Sequence, residues 1–329
     1  MRVAITGVAG FIGYHLSGRL LAQGHSVAGL DNLSPYYDVE LKKARLTELE
    51  RAFGLKSYIC DIADAGALDR FLAEAEAEIV VHLAAQAGVR YSLTNPHAYV
   101  ASNLAGFANV LEACRKHRPR HLLYASSSSV YGNAARLPSR ETDRTDEPLS
   151  FYAATKRANE GMAYSYAHLF DLPVTGLRFF TVYGEWGRPD MAFFRFAEAI
   201  LSGRPITIYN DGRMSRDFTY VGDAVEAIER LFDLPPVRSD EAAAHRIVNI
   251  ASGRRVPLFE FIAELESALG READKRFEDK HAADVTETWG DISLLTELTG
   301  LKPQTNVREG VARFSDWFKS WHARNAEAR

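Results

Sequence analysis

The chain has 329 residues, of which 47% are hydrophobic and 25% charged, an ordinary globular composition with enough length for about two domains' worth of core. A net charge of −4 provides no global field for nucleic acid or anionic lipid, and no window holds about 18 consecutive apolar residues, so the expectation is a cytoplasmic protein without a nucleic-acid or membrane partner. Its two cysteines, Cys60 and Cys114, lie far apart and outside any CxxC pattern, which argues against a disulfide scaffold or a zinc site; no metal is expected.

The first predicted strand, 3–6, runs directly into Gly7-Val8-Ala9-Gly10-Phe11-Ile12-Gly13, and a helical pattern covers 11–23. This opening is too short and too glycine-broken for a signal peptide. Glycines at this spacing permit a tight turn, close approach of backbone to a pyrophosphate, and close helix–strand packing, with the phosphates at the positive end of the helix. The triplet is GxxGxxG rather than GxGxxG, and alone it also suits a purely structural turn. Its place between a strand and a helix, upstream of Asp31, favours a dinucleotide site. Asp31 follows the second strand, 26–30, where a carboxylate accepts hydrogen bonds from the adenosine ribose and repels a 2′-phosphate. NAD is therefore expected over NADP.

A third strand, 57–59, is followed by Asp61-Ile62, an acid beside an apolar residue suited to adenine, and then by a helix over 68–77. The fourth, 79–83, ends in Leu83-Ala84-Ala85-Gln86, small residues that let backbone approach the dinucleotide; His82 within it reads as a core histidine. After a helix at 98–116, a fifth strand at 121–125 enters Ala125-Ser126-Ser127-Ser128-Ser129-Val130-Tyr131-Gly132. Hydroxyls at the carboxyl edge of an open α/β sheet can bond a reacting alcohol or ketone. Tyr152 and Lys156 then open a helix over 152–170, and a separation of four puts both on one face, about 5–6 Å apart at Cβ. A free tyrosine has a pKa near 10, so reaching neutrality takes roughly 4 kcal/mol of phenolate stabilisation at about 1.36 kcal/mol per unit. A nearby ammonium and a positive nicotinamide ring can supply it, and such a phenolate accepts a hydroxyl proton as hydride leaves the same carbon. A serine-rich loop or a YxxxK pair means little alone; together they mark a site.

Past a sixth strand, 174–179, the rhythm changes. Short strands at 206–208 and 247–250 mix with helices at 193–201, 224–232, 258–269 and 307–319, and 234–245 reads as an exposed loop. The strand–helix alternation implies an α/β fold: a doubly wound parallel sheet of the Rossmann type with a smaller, mixed α/β C-terminal substrate domain.

With the glycine triplet, Asp31, the serine run and Tyr152/Lys156 together, the whole chain resembles the extended short-chain dehydrogenase/reductase (NAD-dependent epimerase/dehydratase) family. Ser34-Pro35-Tyr36-Tyr37-Asp38, 85–92, 178–184, Trp186-Gly187-Arg188-Pro189-Asp190-Met191-Ala192 and 215–221 make it most similar to the UDP-glucuronate 4-epimerase branch. That resemblance implies NAD binding by residues 1–180 and 219–251, with Asn32 and Asn103 added to the cofactor set, and nucleotide-sugar binding by 181–218 and 252–329. It implies Tyr152 as base, Lys156 on the nicotinamide ribose, and Ser127 on the reacting oxygen. The expected chemistry oxidises carbon 4 of UDP-glucuronate and reduces the turned 4-keto sugar on its other face to UDP-galacturonate, regenerating NAD.

A 4-keto uronate is a β-keto acid, so the carboxylate must be held with its breaking bond out of line with the carbonyl π system. Ser128, Ser129, Thr181 and Arg188 are expected to do this, with Arg216 at the diphosphate and Arg90 at either place or merely solvated. Related 4,6-dehydratases and UDP-glucuronate decarboxylases carry an acid where this chain has Ser128-Ser129-Val130, which disfavours elimination or managed decarboxylation. The branch usually reads Gly-Asp-Val-Pro where this chain has Ala283-Asp284-Val285-Thr286, leaving the nucleotide clamp around Asp284 open. A homodimer formed through 98–116 and 152–170 is implied. Two other functions stay open: a 4-epimerase of a neutral UDP-hexose, and a non-catalytic NAD-binding sensor.

Overall fold

The computed structural model describes residues 1–133, 136–279 and 285–327. Six strands alternate with helices through the first half: β1 (Arg2–Thr6), β2 (Ser26–Asp31), β3 (Ser57–Ile59), β4 (Ile79–His82), β5 (His121–Ser127) and β6 (Val174–Phe179). With a later strand, His245–Ile250, they form one seven-stranded parallel sheet. Every residue of β4 and β6 is buried, the near-continuous apolar pattern of strands covered by helices on both faces. In space the order is His245–Ile250, β6, β5, β4, β1, β2, β3. The winding reverses between β1 and β4, and ligands of such sheets bind at the carboxyl ends beside that reversal.

The C-terminal half adds three two-stranded pairs: Thr181–Tyr183 with Phe218–Tyr220, Ser215–Arg216 with Val256–Pro257, and Ile206–Tyr209 with Lys275–Glu278. The helices expected there are present, with the one at 224–232 beginning earlier, as Val221–Arg230. One apolar cluster runs from Val3 and Ile5 in β1 through Phe193 and Phe261 to Phe314 and Phe318 of the last helix, Val307–Glu327. A second, with Leu68, Phe71, Val110 and Ala163, covers the opposite face of the sheet. Among the described residues no helix is long and apolar enough to cross a membrane.

Among the departures from expectation, two bear on the site. Residues 39–53, where no helix is predicted, form Val39–Phe53, capped by Asp38 accepting from Glu40 N and closed by Gly54 at φ +71°. Its buried positions are Leu41, Lys42, Arg45 and Leu49, so the helical period is there but half of its buried face is basic. The helix expected at 98–116 is instead Pro96–Tyr99, a π-helical Val100–Gly106 and Phe107–His117. At Gly106 a Cβ would stand 2.8 Å from the Ile62 side chain, and the wider π turn keeps Asn103 pointed inward and buried.

Candidate active site

A cavity of about 510 Å³ opens at the carboxyl ends of β1, β4 and β5 and extends to Arg216, Val285 and Thr288. Its first wall is backbone. Gly7 sits at φ +81°, and a Cβ there would meet Ala84 N at 2.7 Å; a Cβ on Gly13 would meet Gly7 O at 2.1 Å. Only glycine fits at either position. The helix that follows, Phe11–Ala22, has no side-chain cap at its N-terminus, which leaves its first N–H groups for an anion. Asp31 closes this end: it is buried, with Oδ2 accepting from Ala9 N and Oδ1 from Leu33 N. Burial pushes its carboxyl up, only partly offset by those bonds and by Lys42 and Arg45. A bare cradle for phosphates beside a buried carboxylate suits a dinucleotide with a free ribose 2′-hydroxyl.

Ser126, Ser127, Ser128 and Ser129 leave β5 at the middle of the cavity. Ser127 Oγ accepts from Ser129 N at 3.2 Å and lies 2.9 Å from Ser129 Oγ. Tyr152 and Lys156 face it from Phe151–Phe170, whose N-cap Ser150 accepts from Ala153 N. Lys156 is buried, donates to Ala125 O at 2.9 Å, and is brought down by burial to about 8. Burial pushes the Tyr152 hydroxyl up, while Ser127 and then Arg188 pull it back. Lys156 is anchored on a β5 carbonyl, and among the protein's own groups Ser127 and Arg188 favour the phenolate.

One turn beyond Lys156, Glu160 fixes the same helix to the sheet. It accepts from Ser126 Oγ at 2.7 Å and from Arg178 at 2.8 and 2.9 Å, all in the buried interior. Asn103 does not line the cavity. Its Oδ1 accepts from Gln86 N, and its Nδ2 donates to Gln86 O and Thr155 Oγ1, so it anchors the 83–86 loop. Asp61 also stays outside, accepting from Asn32 Nδ2 and Ala63 N, while Cys60 and Ile62 line the wall. His82 is a core residue: buried, 2.7 Å from Thr6 Oγ1, stacked on Phe107, and pulled by burial to about 3.

Phe11, Ile12, Asn32, Leu83, Ala84, Ala85, Gln86, Thr181, Arg188 and Arg216 all line the cavity as expected. Arg90 does not; its guanidinium lies 4.3 Å over the Tyr209 ring. Arg216 donates to the carbonyls of Ser215, Val285 and Thr286. Asp284 lies outside the described residues.

Several cavity residues have no role in the sequence reading, although Tyr36, Tyr37 and Asp190 fall within its family-like segments. Tyr36, Tyr37 and Lys42 line the wall, and Tyr36 donates to Asp190 at 3.0 Å, while Asp190 holds Arg188 in a two-point ion pair. Arg45, fully buried, donates to Ala9 O at the glycine turn and to the carbonyls of Trp186 and Gly187, tying the phosphate cradle to the segment that carries Arg188. The helical spacing of Leu41, Arg45 and Leu49 after a capping Asp38 is the signal that would have found them.

The model of the NAD dependent epimerase/dehydratase family matches residues 3–251. A probable UDP-glucuronate 4-epimerase of Rhizobium meliloti (strain 1021) is 50% identical, with 97% of each chain covered. A solved UDP-glucuronic acid 4-epimerase from Bacillus cereus, in complex with UDP-glucuronic acid and NAD, superposes with a TM-score of 0.89 at 32% identity, covering 98% of this chain and 100% of that one. A UDP-glucose 4-epimerase of Thermus thermophilus in complex with NAD gives a TM-score of 0.85 at 29% identity, covering 97% and 99%.

Proposed function

The chain belongs to the NAD dependent epimerase/dehydratase family, and on that footing we propose that it interconverts UDP-glucuronate and UDP-galacturonate by inverting carbon 4, with NAD as its cofactor. One observation carries the reading: Tyr152, Ser127 and Arg188 meet in a single cavity whose other end is a glycine cradle closed by Asp31. The glycine cradle and Asp31 would hold NAD, which would supply the hydride acceptor and donor for carbon 4 of the sugar.

The chain's own residues do the rest. Tyr152 Oη accepts the proton of the 4-hydroxyl as the carbonyl forms and returns it when the alcohol is restored. Ser127 Oγ bonds the reacting oxygen and also pulls the Tyr152 pKa downward. Lys156, anchored on Ala125 O, offers its remaining N–H groups to the nicotinamide ribose. Ser128, Ser129 and Thr181 supply hydroxyls to the sugar's acid group and Arg188 a cation, holding the carboxyl bond away from the carbonyl π system. Arg216, beside Val285 and Thr288, takes the diphosphate. Purified protein given UDP-glucuronate and NAD yields UDP-galacturonate with little released carbon dioxide; failure to form it under any loading with NAD sinks the proposal.

One observation favours a second reading, epimerisation of a neutral UDP-hexose: the Arg188 charge is already paired with Asp190. Turnover of UDP-glucose in the same assay, with none of the uronate, selects it. The proposal also takes in a two-part organisation, with NAD held by 1–180 and 219–251 and the nucleotide sugar by 181–218 and 252–329, in a cytoplasmic homodimer. Val100, Tyr164 and Leu169 leave apolar surface exposed along the two helical segments expected to pair. Sedimentation at twice the chain mass supports that pairing.

A further inference from the structure

Arg188 stands in the cavity wall with its charge already engaged. Its Nε donates to Asp190 Oδ1 at 3.0 Å and its Nη2 to Oδ2 at 2.6 Å, while Tyr36 Oη donates to the same Oδ2 at 3.0 Å. The side chains of Arg188 and Asp190 are 22% and 25% exposed, so the pair is neither sealed in the core nor freely solvated. The guanidinium edge that carries Nε and one Nη is the edge that grips a carboxylate side-on at two points. Here Asp190 has it. Burial pushes the Asp190 carboxyl up, but Arg188 and Tyr36 outweigh that and keep it an anion. The Arg188–Asp190 pair therefore presents a net charge close to zero rather than a bare +1, with Lys42 a further cation in the same wall.

Interconversion of a uronate requires such restraint. Between the two hydride transfers the keto sugar turns over, so its carboxylate cannot remain in one rigid side-on clamp. A contact that binds the ground state more tightly than the transition state lowers KM without raising kcat, and slows any step in which it must break. Resting on the function proposed above, we infer that Asp190, steadied by Tyr36, is a positioning residue that sets acid-sugar specificity. It occupies the side-on edge of Arg188, so the substrate carboxylate meets a tempered, end-on cation that it can leave as the sugar turns.

The test uses the full chain loaded with NAD, calorimetric binding of UDP-glucuronate and of UDP-glucose, and kcat for the uronate. Both ligands share the diphosphate, so only their ratio reports on the carboxylate. Asp190→Asn keeps the shape and removes the opposing charge. Its expected effect is about 3–10-fold tighter uronate binding with kcat lower by a similar factor, and less than about twofold change for UDP-glucose, the scale of one half-exposed charge. Asp190→Glu restores the carboxylate and returns the ratio toward wild type, a rescue that a purely structural role would not give. Tyr36→Phe leaves both charges in place and shifts the ratio the same way by less; it carries the test alone if Asp190→Asn does not fold. Weaker uronate binding in Asp190→Asn, equal shifts for both ligands, or an unmoved ratio in Tyr36→Phe overturns the inference. Wild-type protein that binds both ligands but leaves UDP-glucuronate unchanged overturns the proposed function, and the inference falls with it.

Discussion

At the dinucleotide end of the cavity the walls are main chain: Gly7 against Ala84, Gly13 against Gly7, and an uncapped helix N-terminus. At the sugar end they are side chains drawn from distant segments: Ser127 to Ser129, Tyr152, Arg188 with Asp190 and Tyr36, and Arg216. The first kind of wall fails by collision, because an added atom has no rotamer in which to escape. The second fails by chemistry, because removing one hydroxyl or charge leaves the shape intact and changes what the site can do. An enzyme that returns its cofactor to the starting state each cycle can use a rigid seat at one end, while the other end must accommodate a substrate that moves.

The sharpest contrast comes from Tyr152→Phe, which deletes one oxygen from the chemical end. It is expected to lower kcat by roughly 10²–10⁴-fold, the usual worth of a positioned acid–base group, while NAD titrates as in wild type. Loss of NAD binding in that variant would mean that the two ends are not separable. The steric end is probed by Gly13→Ala, whose Cβ would lie 2.1 Å from Gly7 O. The backbone must shift, at about 1–3 kcal/mol of stability for overpacking, seen as a lower melting temperature together with weaker NAD binding. A normal melt with normal NAD affinity would show that the turn yields.

Ser127→Ala gives a smaller and more specific change. The Ser127 hydroxyl lowers the Tyr152 pKa, so its removal raises that pKa. Since activity requires the phenolate to accept a proton, the rising limb of kcat against pH moves to higher pH, and activity at neutral pH falls by about tenfold for each unit of that movement. A limb that stays in place removes Ser127 from contact with the base. Arg90→Ala is expected to do least. Its guanidinium lies on Tyr209 outside the cavity lining, a half-buried contact worth about 0.5–2 kcal/mol, so kcat and KM should remain within about twofold of wild type. A large rise in KM would bring Arg90 back into the sugar site.

These differences also set what the sequence makes legible. Gly7 to Gly13, the serine run, and Tyr152 with Lys156 each act within a few residues of chain, so spacing alone carries the geometry. The fourth strand and its Leu83–Gln86 exit are legible for the same reason. Asp190 and Tyr36 are 154 residues apart, and nothing in either segment announces that they meet. Arg90 reads as a sugar or diphosphate contact or as a solvated cation, because a loop sequence does not fix where its side chain points. Asn103 enters the cofactor set only through the family resemblance, and its bonds to the Gln86 backbone are not legible because the one-residue widening of a π turn leaves no periodic trace. The helix at Val39–Phe53 is hard to read because its inward face is half basic, and the same composition hides Arg45, the residue that ties the phosphate turn to the Arg188 segment.

Because Val3 and Ile5 share one apolar cluster with Phe314 and Phe318, the halves of the molecule cannot swing apart like a jaw without wetting that cluster. Exchange of ligands through small adjustments at the rim keeps that cluster dry. The same continuity makes heat act on both halves at once, in a single cooperative melt that moves upward when the cofactor is present.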